Sequence, residues 1–309
     1  MDIFLQQILN GLVVGSIYAL IALGYTMVYG ILQLINFAHG EVVMVGAMVT
    51  ITIINLLTGF GIDLPGAALL LVSLMLAIPV TMALGYGIER VAYRPLRKAP
   101  RLAPLITAIG VSIVLQQAAM LIWGRNYRQF PPILSHEVHT IFGASITDLQ
   151  IAIIVLAVGV MVGLLLMVER TKLGRAMRAV AQNPAVAGLM GVNINYVISM
   201  TFVIGSALGA IAGVMVAANY GQAHAYMGFM IGLKAFTAAV LGGIGNLAGA
   251  VAGGILLGVI ESVGAGYIGP LTNNFLGSHY QDIFAFMVLI LVLVFRPSGL
   301  LGERVAERA

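Results

Sequence analysis

Hydrophobic residues run almost without interruption through about eight stretches of the chain, each near or above the roughly 20 residues that a helix needs to cross a bilayer. They lack the alternation of barrel strands, which leaves helices as the structures that satisfy every backbone group in lipid. The pattern therefore predicts an all-α fold, a polytopic helix bundle in which residues 1–309 form a single transmembrane domain. The stretches are residues 8–29, 31–57, 64–90, 102–123, 148–168, 196–218, 232–264 and 276–295.

The stretch 31–57 differs from the others because polar residues interrupt its start. Asn36, His39 and Glu41, with Gly40 between the last two, lie within an otherwise apolar run. An ionisable side chain at membrane depth costs at least about 2.5 kcal/mol, so such residues usually face protein or a wet cavity. We expect a broken helix here. The three polar side chains either line a path or gate through the membrane, or hydrogen-bond the free backbone groups of the break.

The stretch 232–264 also predicts a break. As one helix it would be about 50 Å long, too long for one untilted pass and short for two. Four of the five residues in its middle are glycine or asparagine: Gly242, Gly243, Gly245 and Asn246. We expect two part-helices joined by an unwound turn deep in the membrane.

The two interrupted stretches can be aligned without gaps, residues 31–45 against residues 240–254. Four positions are then identical, and Asn36 and Asn246 fall one position apart. Glycine-interrupted apolar segments at matching places in two halves indicate the binding region of a transporter. Shared composition explains the same identities, and both interpretations stay open.

The distribution of charged residues predicts how the spans are oriented in the membrane. Only 8% of the residues are charged against 61% hydrophobic, which excludes a soluble domain. By the positive-inside rule, three basic segments are cytoplasmic, including the C-terminus, while 125–147 lies outside. The N-terminus is then external with two full spans before 64–90, or internal if 31–57 is a re-entrant hairpin. The basic residues are Arg90, Arg94, Arg97, Lys98 and Arg101; Arg170, Lys172, Arg175 and Arg178; and Arg296, Arg304 and Arg308.

Residues 169–195 are predicted to be a cytoplasmic segment of two short helices. The first is basic and carries Arg175 and Arg178. Asn183 and Pro184 are suited to the N-cap and first position of the second, which Gly191 would end.

The second short helix places three apolar side chains, Val186, Leu189 and Met190, on one face. A soluble partner can bind such a face. Alternatively, the face rests on the ends of the protein's own spans.

Other functional classes find no support in the residue pattern. The chain has no cysteine, and it contains no His-Glu-x-x-His, Gly-x-Ser-x-Gly or nucleotide-binding-loop motif. We therefore predict no catalytic residue, metal site, cofactor or nucleic-acid partner. Lys234 and Glu261 lie near predicted span ends, where we expect them to reach the membrane interface.

Four segments of the chain together resemble one family. They are Ile35-Asn-Phe-Ala-His-Gly-Glu41, the run from Lys234 to Asn246, the loop from Gly174 to Asn193, and the ending Arg296-Pro-Ser-Gly-Leu-Leu-Gly302. The resemblance is to the permease subunits of branched-chain amino-acid ABC importers, of the LivH type, and it covers nearly the whole chain.

The resemblance implies a multi-pass permease of the bacterial inner membrane that is not itself an enzyme. Its implied partners are a homologous second permease subunit, two cytoplasmic ATPase subunits and a periplasmic amino-acid-binding protein. It also implies that 169–195 is the coupling segment that contacts the ATPase. The common permease signature has Glu-Ala-Ala, three residues and Gly; here Ala185-Val186-Ala187 precede Gly191 without the Glu, which favours an apolar contact.

Two other functions remain as alternatives. A proton-coupled secondary transporter or channel for a small zwitterion would use Glu41 and His39. A structural or receptor subunit would have broken segments but no cavity. The coupling segment favours the importer, because a self-sufficient transporter needs no exposed apolar cytoplasmic helix.

Overall fold

The protein is built almost entirely of helices in a computed structural model that describes residues 2–62, 64–97, 99–100, 102–133, 137–141, 143–272, 280–296 and 298–302. Seven helices in these ranges are long and apolar enough to cross a membrane, which confirms a polytopic all-α fold. The α-helices are α1 (Asp2–Leu32), α2 (His39–Gly59), α3 (Gly66–Ile88), α4 (Leu102–Trp123), α5 (Asp148–Arg170), α6 (Lys172–Gln182), α7 (Pro184–Leu189), α8 (Ile194–Tyr220), α9 (Met227–Gly242), α10 (Leu247–Leu271) and α11 (Gln281–Phe295).

Short elements complete the described chain. A π-helix (Glu89–Tyr93) and a 3-10 helix (Arg94–Leu96) extend α3. Strand β1 (Arg128–Gln129) pairs antiparallel with β4 (Gln222–Ala223), and β2 (Val138–Ile141) pairs antiparallel with β3 (Ala144–Thr147).

The predicted stretches correspond to helices, and both predicted breaks are present. Helix α4 has the predicted bounds. Stretch 31–57 contains the end of α1, a break and α2. Stretch 232–264 divides into α9 and α10, but only α9, with 16 residues, is a part-helix. The expectation of a second part-helix is wrong, because α10 continues for 25 residues to Leu271.

Some residues used in the sequence predictions lie outside the described ranges. These are Lys98, Arg101, Pro297, Arg304, Arg308 and residues 276–279 of the last predicted stretch.

The chain divides into two compact units. Unit 1 consists of Met1–Thr26, His136–Met161 and Lys234–Ala309, and unit 2 consists of Met27–Ser135 and Val162–Leu233. Helices α1, α5 and α9 contribute residues to both.

Unit 2 is organised around the packing of α2, α3 and α8. Glycines permit this approach: an added methyl group at Gly213 of α8 would collide with the Val43 carbonyl of α2, and one at Gly85 of α3 would meet Ser206. Small residues let helix backbones approach where lipid supplies no hydrophobic drive. The buried core cluster of the unit comprises Val28, Val42, Ile88, Tyr93, Ala108, Ile198 and Phe202.

In unit 1, glycines permit the same close approach of backbones between α1 and α10. An added methyl group at Gly15 would meet the backbone of Ile255, and one at Gly258 would meet the backbone of Gly15. At the start of α1, the Gln6 amide donates to the Ser145 carbonyl at 2.9 Å and accepts from the Ser145 amide at 2.7 Å.

These contacts place the start of α1 beside the segment 125–147, which contains Ser145 and for which the charge distribution predicts an external position. In unit 2, Ile31 and Leu32 at the other end of α1 pack against the cluster that contains Tyr93, beside the basic residues Arg94 and Arg97. Helix α2 is a single helix of 21 residues, so stretch 31–57 is not a re-entrant hairpin.

We expect Gly213→Ala to destabilise the protein. The added methyl group would overpack the α8–α2 contact, which typically costs about 1–3 kcal/mol and outweighs the roughly 1 kcal/mol that alanine gains in a helix. Thermal unfolding in detergent should show a lower midpoint than the wild type. Gly110→Ala is the matched control, because Gly110 in α4 has open space around it, and its midpoint should stay the same or rise.

Candidate functional site

The first break, residues 33–38, is held by hydrogen bonds from both of its sides. Helix α1 ends with Gln33 in the left-handed region (φ 53°), and the Gln33 amide donates to the Tyr29 carbonyl at 2.8 Å. The Asn36 carbonyl accepts from the His39 amide at 3.0 Å. The Tyr93 hydroxyl donates to Asn36 Oδ1 at 2.9 Å. The hydrogen bond from Tyr93, a residue distant in sequence, supports the predicted role of Asn36 in fixing the break.

Glu41, in the first turn of α2, is fully buried against α4. Its Oε1 accepts hydrogen bonds from Ser112 Oγ at 3.1 Å and from Gln116 Nε2 at 2.8 Å. Both donors lie near the middle of the span-length helix α4. The carboxylate thus faces protein rather than lipid, as expected for an ionisable group at membrane depth.

Two neighbours of Glu41 are also buried. His39 is the first residue of α2 and is 1% exposed. Gly40 lies against α9, where an added methyl group would collide with the Gly228 carbonyl and approach Gly232. The start of α2 is therefore packed directly onto the backbone of the first turns of α9.

The second break, residues 243–246, is a glycine turn. Gly243 (φ 105°) and Gly245 (φ 98°) adopt left-handed conformations that favour glycine. Gly242 ends α9 so close to Gly249 that a side chain would not fit. The Asn246 side chain caps α10 by accepting from the Gly249 amide at 3.0 Å. These four residues shape the turn.

The C-terminal segment completes the second break. The amides of Leu300 and Leu301 donate to the carbonyls of Leu241 and Gly242, each at 2.9 Å, and Asn246 Nδ2 donates to the Leu301 carbonyl at 2.8 Å. The last carbonyls of a helix have no partner within it, so these bonds satisfy the end of α9. The sequence offered only the glycine-rich ending 296–302 as a signal for this contact.

The two breaks correspond in position along the gapless alignment. His39, which begins α2, is aligned with Ala248, one residue after the start of α10. This agreement supports an internal repeat. The polar chemistry differs, because Asn246 caps its helix whereas Asn36 accepts from Tyr93. The first break belongs to unit 2 and the second lies in unit 1.

The segment 169–195 contains the two short helices predicted for it, and their caps are as expected. Thr171 caps α6 by accepting from the Gly174 amide. Asn183 caps α7 by accepting from the Val186 amide at 3.1 Å, and Pro184 is the first residue of that helix. Gly191, with φ 84°, follows its end.

The predicted apolar face of α7 is exposed. Val186, Leu189 and Met190 have exposed fractions of 52%, 87% and 80%. Within the described residues, then, this face does not rest on the protein's own spans. Ala187, in the same helix, is buried.

The two predicted basic residues have structural partners. Arg178 donates to the carbonyls of Val168 and Glu169, and Arg175 donates to the Arg170 carbonyl. Cations at the carboxyl end of a helix complement its dipole. Both side chains thus fasten α6 to the end of α5 while remaining exposed.

A buried ionic cluster in unit 2 was not predicted. The Glu89 carboxylate is fully buried and accepts from Arg94 Nε at 3.3 Å, from Arg97 Nη2 and from Ser199 Oγ at 2.7 Å. Burial lowers the pKa of Arg97, and the adjacent carboxylate opposes that shift; a guanidinium stays protonated at neutral pH. From the sequence, Arg94 and Arg97 indicated only the orientation of the spans. The sequence does not show that Ser199, more than 100 positions later, lies against Arg94 and Glu89.

A second buried ionic cluster joins four helices of unit 1. Lys234 Nζ lies 2.7 Å from both Glu261 Oε1 and Asp282 Oδ1, and the Tyr18 hydroxyl donates to Glu261 Oε2 at 3.0 Å. The prediction that Lys234 and Glu261 reach the membrane interface is wrong, since they are 8% and 3% exposed. Lys234 and Glu261 can be buried because each neutralises the other, and the partly exposed Asp282 adds a second carboxylate to Lys234.

Between β2 and α5, His139 Nε2 lies 2.7 Å from Asp148 Oδ1, with Glu137 nearby. These three groups are the kind that ligate metals, although no metal site was predicted. His139 and Glu137 are exposed, and the His139–Asp148 contact serves to join β2 to the start of α5.

Span-length apolar helices, two broken hydrophobic stretches and buried polar groups beside the middle of a span define a multi-pass membrane protein of the transporter class. A family model described as "Branched-chain amino acid transport system / permease component" matches residues 7–293, and the chain belongs to this family.

The curated relatives agree with the family model and confirm the resemblance drawn from the motifs. The chain is 49% identical to the high-affinity branched-chain amino acid transport system permease protein BraD of Pseudomonas aeruginosa, over 99% of this chain and 98% of the relative. It is 45% identical to the corresponding LivH proteins of Escherichia coli and Salmonella typhimurium, over 99% of this chain and 97% of each relative. These relatives are transport permeases rather than enzymes.

We expect Lys234→Met to destabilise the protein strongly. The substitution keeps the apolar stem but leaves two carboxylates near one another without a cation, and breaking a buried pair typically costs about 3–5 kcal/mol. Thermal unfolding of the purified protein should show a large drop in the midpoint. Lys172→Met is the control, because Lys172 is exposed at the start of α6. Equal midpoints for the two variants would contradict the structural role of the cluster.

Proposed function

We propose that the protein is the permease subunit of an ABC importer in the bacterial inner membrane, with a cytoplasmic C-terminus. It forms, with a homologous second permease subunit, the passage for amino acids of the leucine, isoleucine and valine type. Two cytoplasmic ATPase subunits hydrolyse ATP, and a periplasmic binding protein delivers the substrate. Family membership and the names of the relatives support the substrate class.

The exposed apolar face of α7 is the observation that carries the coupling to an ATPase. A six-residue helix is too short to be stable by itself, so its caps and turns must hold it. Those local bonds keep Leu189 and Met190 exposed, where their apolar surface forgoes about 25 cal/mol for every Å² left in water. A partner that covers this face recovers that free energy. The segment 169–195 is accordingly the coupling segment, with its apolar face as the contact and Arg175 and Arg178 as its support.

The two breaks are proposed to border the passage or to form its gate. In unit 2 the residues concerned are Asn36, His39, Gly40 and Glu41; in unit 1 they are Gly242, Gly243, Gly245 and Asn246. Hydrogen bonds and close backbone packing support a shaping role for them first. Contact with the substrate is then transient and is made where a helix is interrupted.

A proton-coupled transporter using Glu41 and His39 is the competing function. Glu41 is fully buried, and its two neutral donors on α4 both bond to Oε1, so such a cycle would first have to open the carboxylate to water before it could exchange a proton. Reconstituted vesicles distinguish the two functions. The importer takes up leucine only with the partner subunits and ATP, whereas the competing transporter would take it up alone in a pH gradient.

We expect Leu189→Asp to abolish association with the ATPase subunits. The substitution places a charge at the most exposed apolar position of α7, and desolvating that charge in an apolar contact is unfavourable. Co-purification of the tagged permease with the ATPase measures the effect. Ala181→Asp introduces the same charge on the exposed surface of α6 and should leave association intact. Unchanged association of the Leu189→Asp variant would overturn the proposed docking face.

We expect Glu41→Gln to lower uptake while the complex still assembles. Glutamine keeps the shape of the side chain, and Ser112 and Gln116 can still bond to its oxygen, but the negative charge is lost. Uptake of leucine by reconstituted complexes and the yield of assembled complex are measured together. Glu137→Gln is the control, since Glu137 is exposed and lies outside both the coupling segment and the two breaks. Loss of assembly in the Glu41→Gln variant would instead show that the carboxylate is purely structural.

A further inference from the structure

We propose that the Glu89 cluster links the coupling segment mechanically to the first helix break, and that Tyr93 is the positioning residue at the end of this link. This link rests on the proposed function, and through it unit 2 would transmit a movement of α7 to the first break. Every contact in the link lies within that unit.

The link begins with a stiff joint between α7 and α8. The Val192 amide donates to the Ala187 carbonyl and the Gly191 amide to the Gly188 carbonyl, each at 3.0 Å. With Gly191 in the left-handed region, these bonds form a Schellman motif. The Asn193 side chain then caps α8 by accepting from the Tyr196 amide. Displacement of α7 therefore moves the first turn of α8, because hydrogen bonds at Gly191, Val192 and Asn193 fix the four residues between the two helices.

The first two turns of α8 are bonded to the basic extension of α3. Asn195 Oδ1 accepts from Arg97 Nη1 at 2.6 Å. One turn later, Ser199 Oγ donates to Glu89 Oε2 at 2.7 Å and accepts from Arg94 Nη2 at 3.0 Å. Two side chains of α8 thus hold three side chains of the neighbouring segment.

The Glu89 carboxylate makes this contact act as a unit. It is fully buried and shared between two guanidinium groups. Leaving a buried charge without its partners is strongly unfavourable, so the cluster moves together rather than separating. Glu89 begins a π-helix, Glu89–Tyr93, a rare geometry that is frequent at functional sites.

Tyr93, the last residue of the π-helix, carries the movement to the break. Its ring packs on Phe202 of α8, with centroids 5.2 Å apart. Its hydroxyl donates to Asn36 Oδ1, and the Asn36 carbonyl in turn accepts from the His39 amide at the start of α2. Glu41 follows two residues later. The route from α7 to the first turn of α2 thus consists of hydrogen bonds, one ionic cluster and one helix turn.

The test uses the complete importer in proteoliposomes with its binding protein, leucine and ATP, and measures leucine transported per ATP hydrolysed. Tyr93→Phe keeps the packed ring and removes only the hydroxyl; Ser199→Ala removes only the hydroxyl that joins α8 to Glu89. Each variant should assemble and hydrolyse ATP, with a transport ratio lowered about threefold to tenfold, the range that the net strength of one hydrogen bond corresponds to. Tyr86→Phe is the matched control, because Tyr86 is exposed and, among the described residues, its hydroxyl accepts only from Arg90; its ratio should equal that of the wild type.

A double-variant cycle separates this link from a general loss of stability. Asn36→Ala should lower the ratio as Tyr93→Phe does, and the combined variant should lower it no further, since both remove the same bond. A wild-type ratio in either Tyr93→Phe or Ser199→Ala would overturn the link. Absence of ATP-dependent uptake by the wild-type complex would instead overturn the proposed function, so the two failures are distinguishable.

Discussion

The need to satisfy backbone groups away from water governs this structure. A helix that stops inside a bundle exposes its last carbonyls and first amides, and each orphan group is costly where water is absent. At the second break, the amides of Leu300 and Leu301 donate to the last carbonyls of α9 and so satisfy them. At the first break, Gln33 turns left-handed and Tyr93 secures Asn36. Each break is stabilised because a segment distant in sequence supplies hydrogen-bond partners for it.

Buried charges follow the same rule. Glu41 has two neutral donors, whereas Glu89 and Lys234 each lie between two opposite charges. Such clusters join helices at chosen points, while glycine contacts such as that of Gly213 with Val43 set how closely their backbones approach. In lipid, where apolar side chains gain little from leaving the tails, polar joints and close backbone packing supply the specificity of assembly.

The fixed geometry of α7 and its connection to α8 gives the proposed coupling its physical basis. Helix α7 is too short to persist without Asn183, Pro184 and the Schellman turn at Gly191. Those features hold the apolar face of α7 exposed, and hydrogen bonds at Gly191, Val192 and Asn193 fix its connection to α8. A surface held this rigidly can pass a displacement inward, which a mobile loop of the same composition would absorb.

The sequence by itself determined the all-α membrane fold, the positions of both breaks and the caps of α7, because hydropathy, glycine, proline and capping residues act over a few neighbouring positions. The family followed from four separated motifs. Only the tertiary structure decided the partners of the polar residues. Tyr93 meets Asn36 from 57 positions away, and Lys234, expected at the interface, is buried because Glu261 and Asp282 come from other helices. Such pairings arise from packing between segments, which local patterns do not encode.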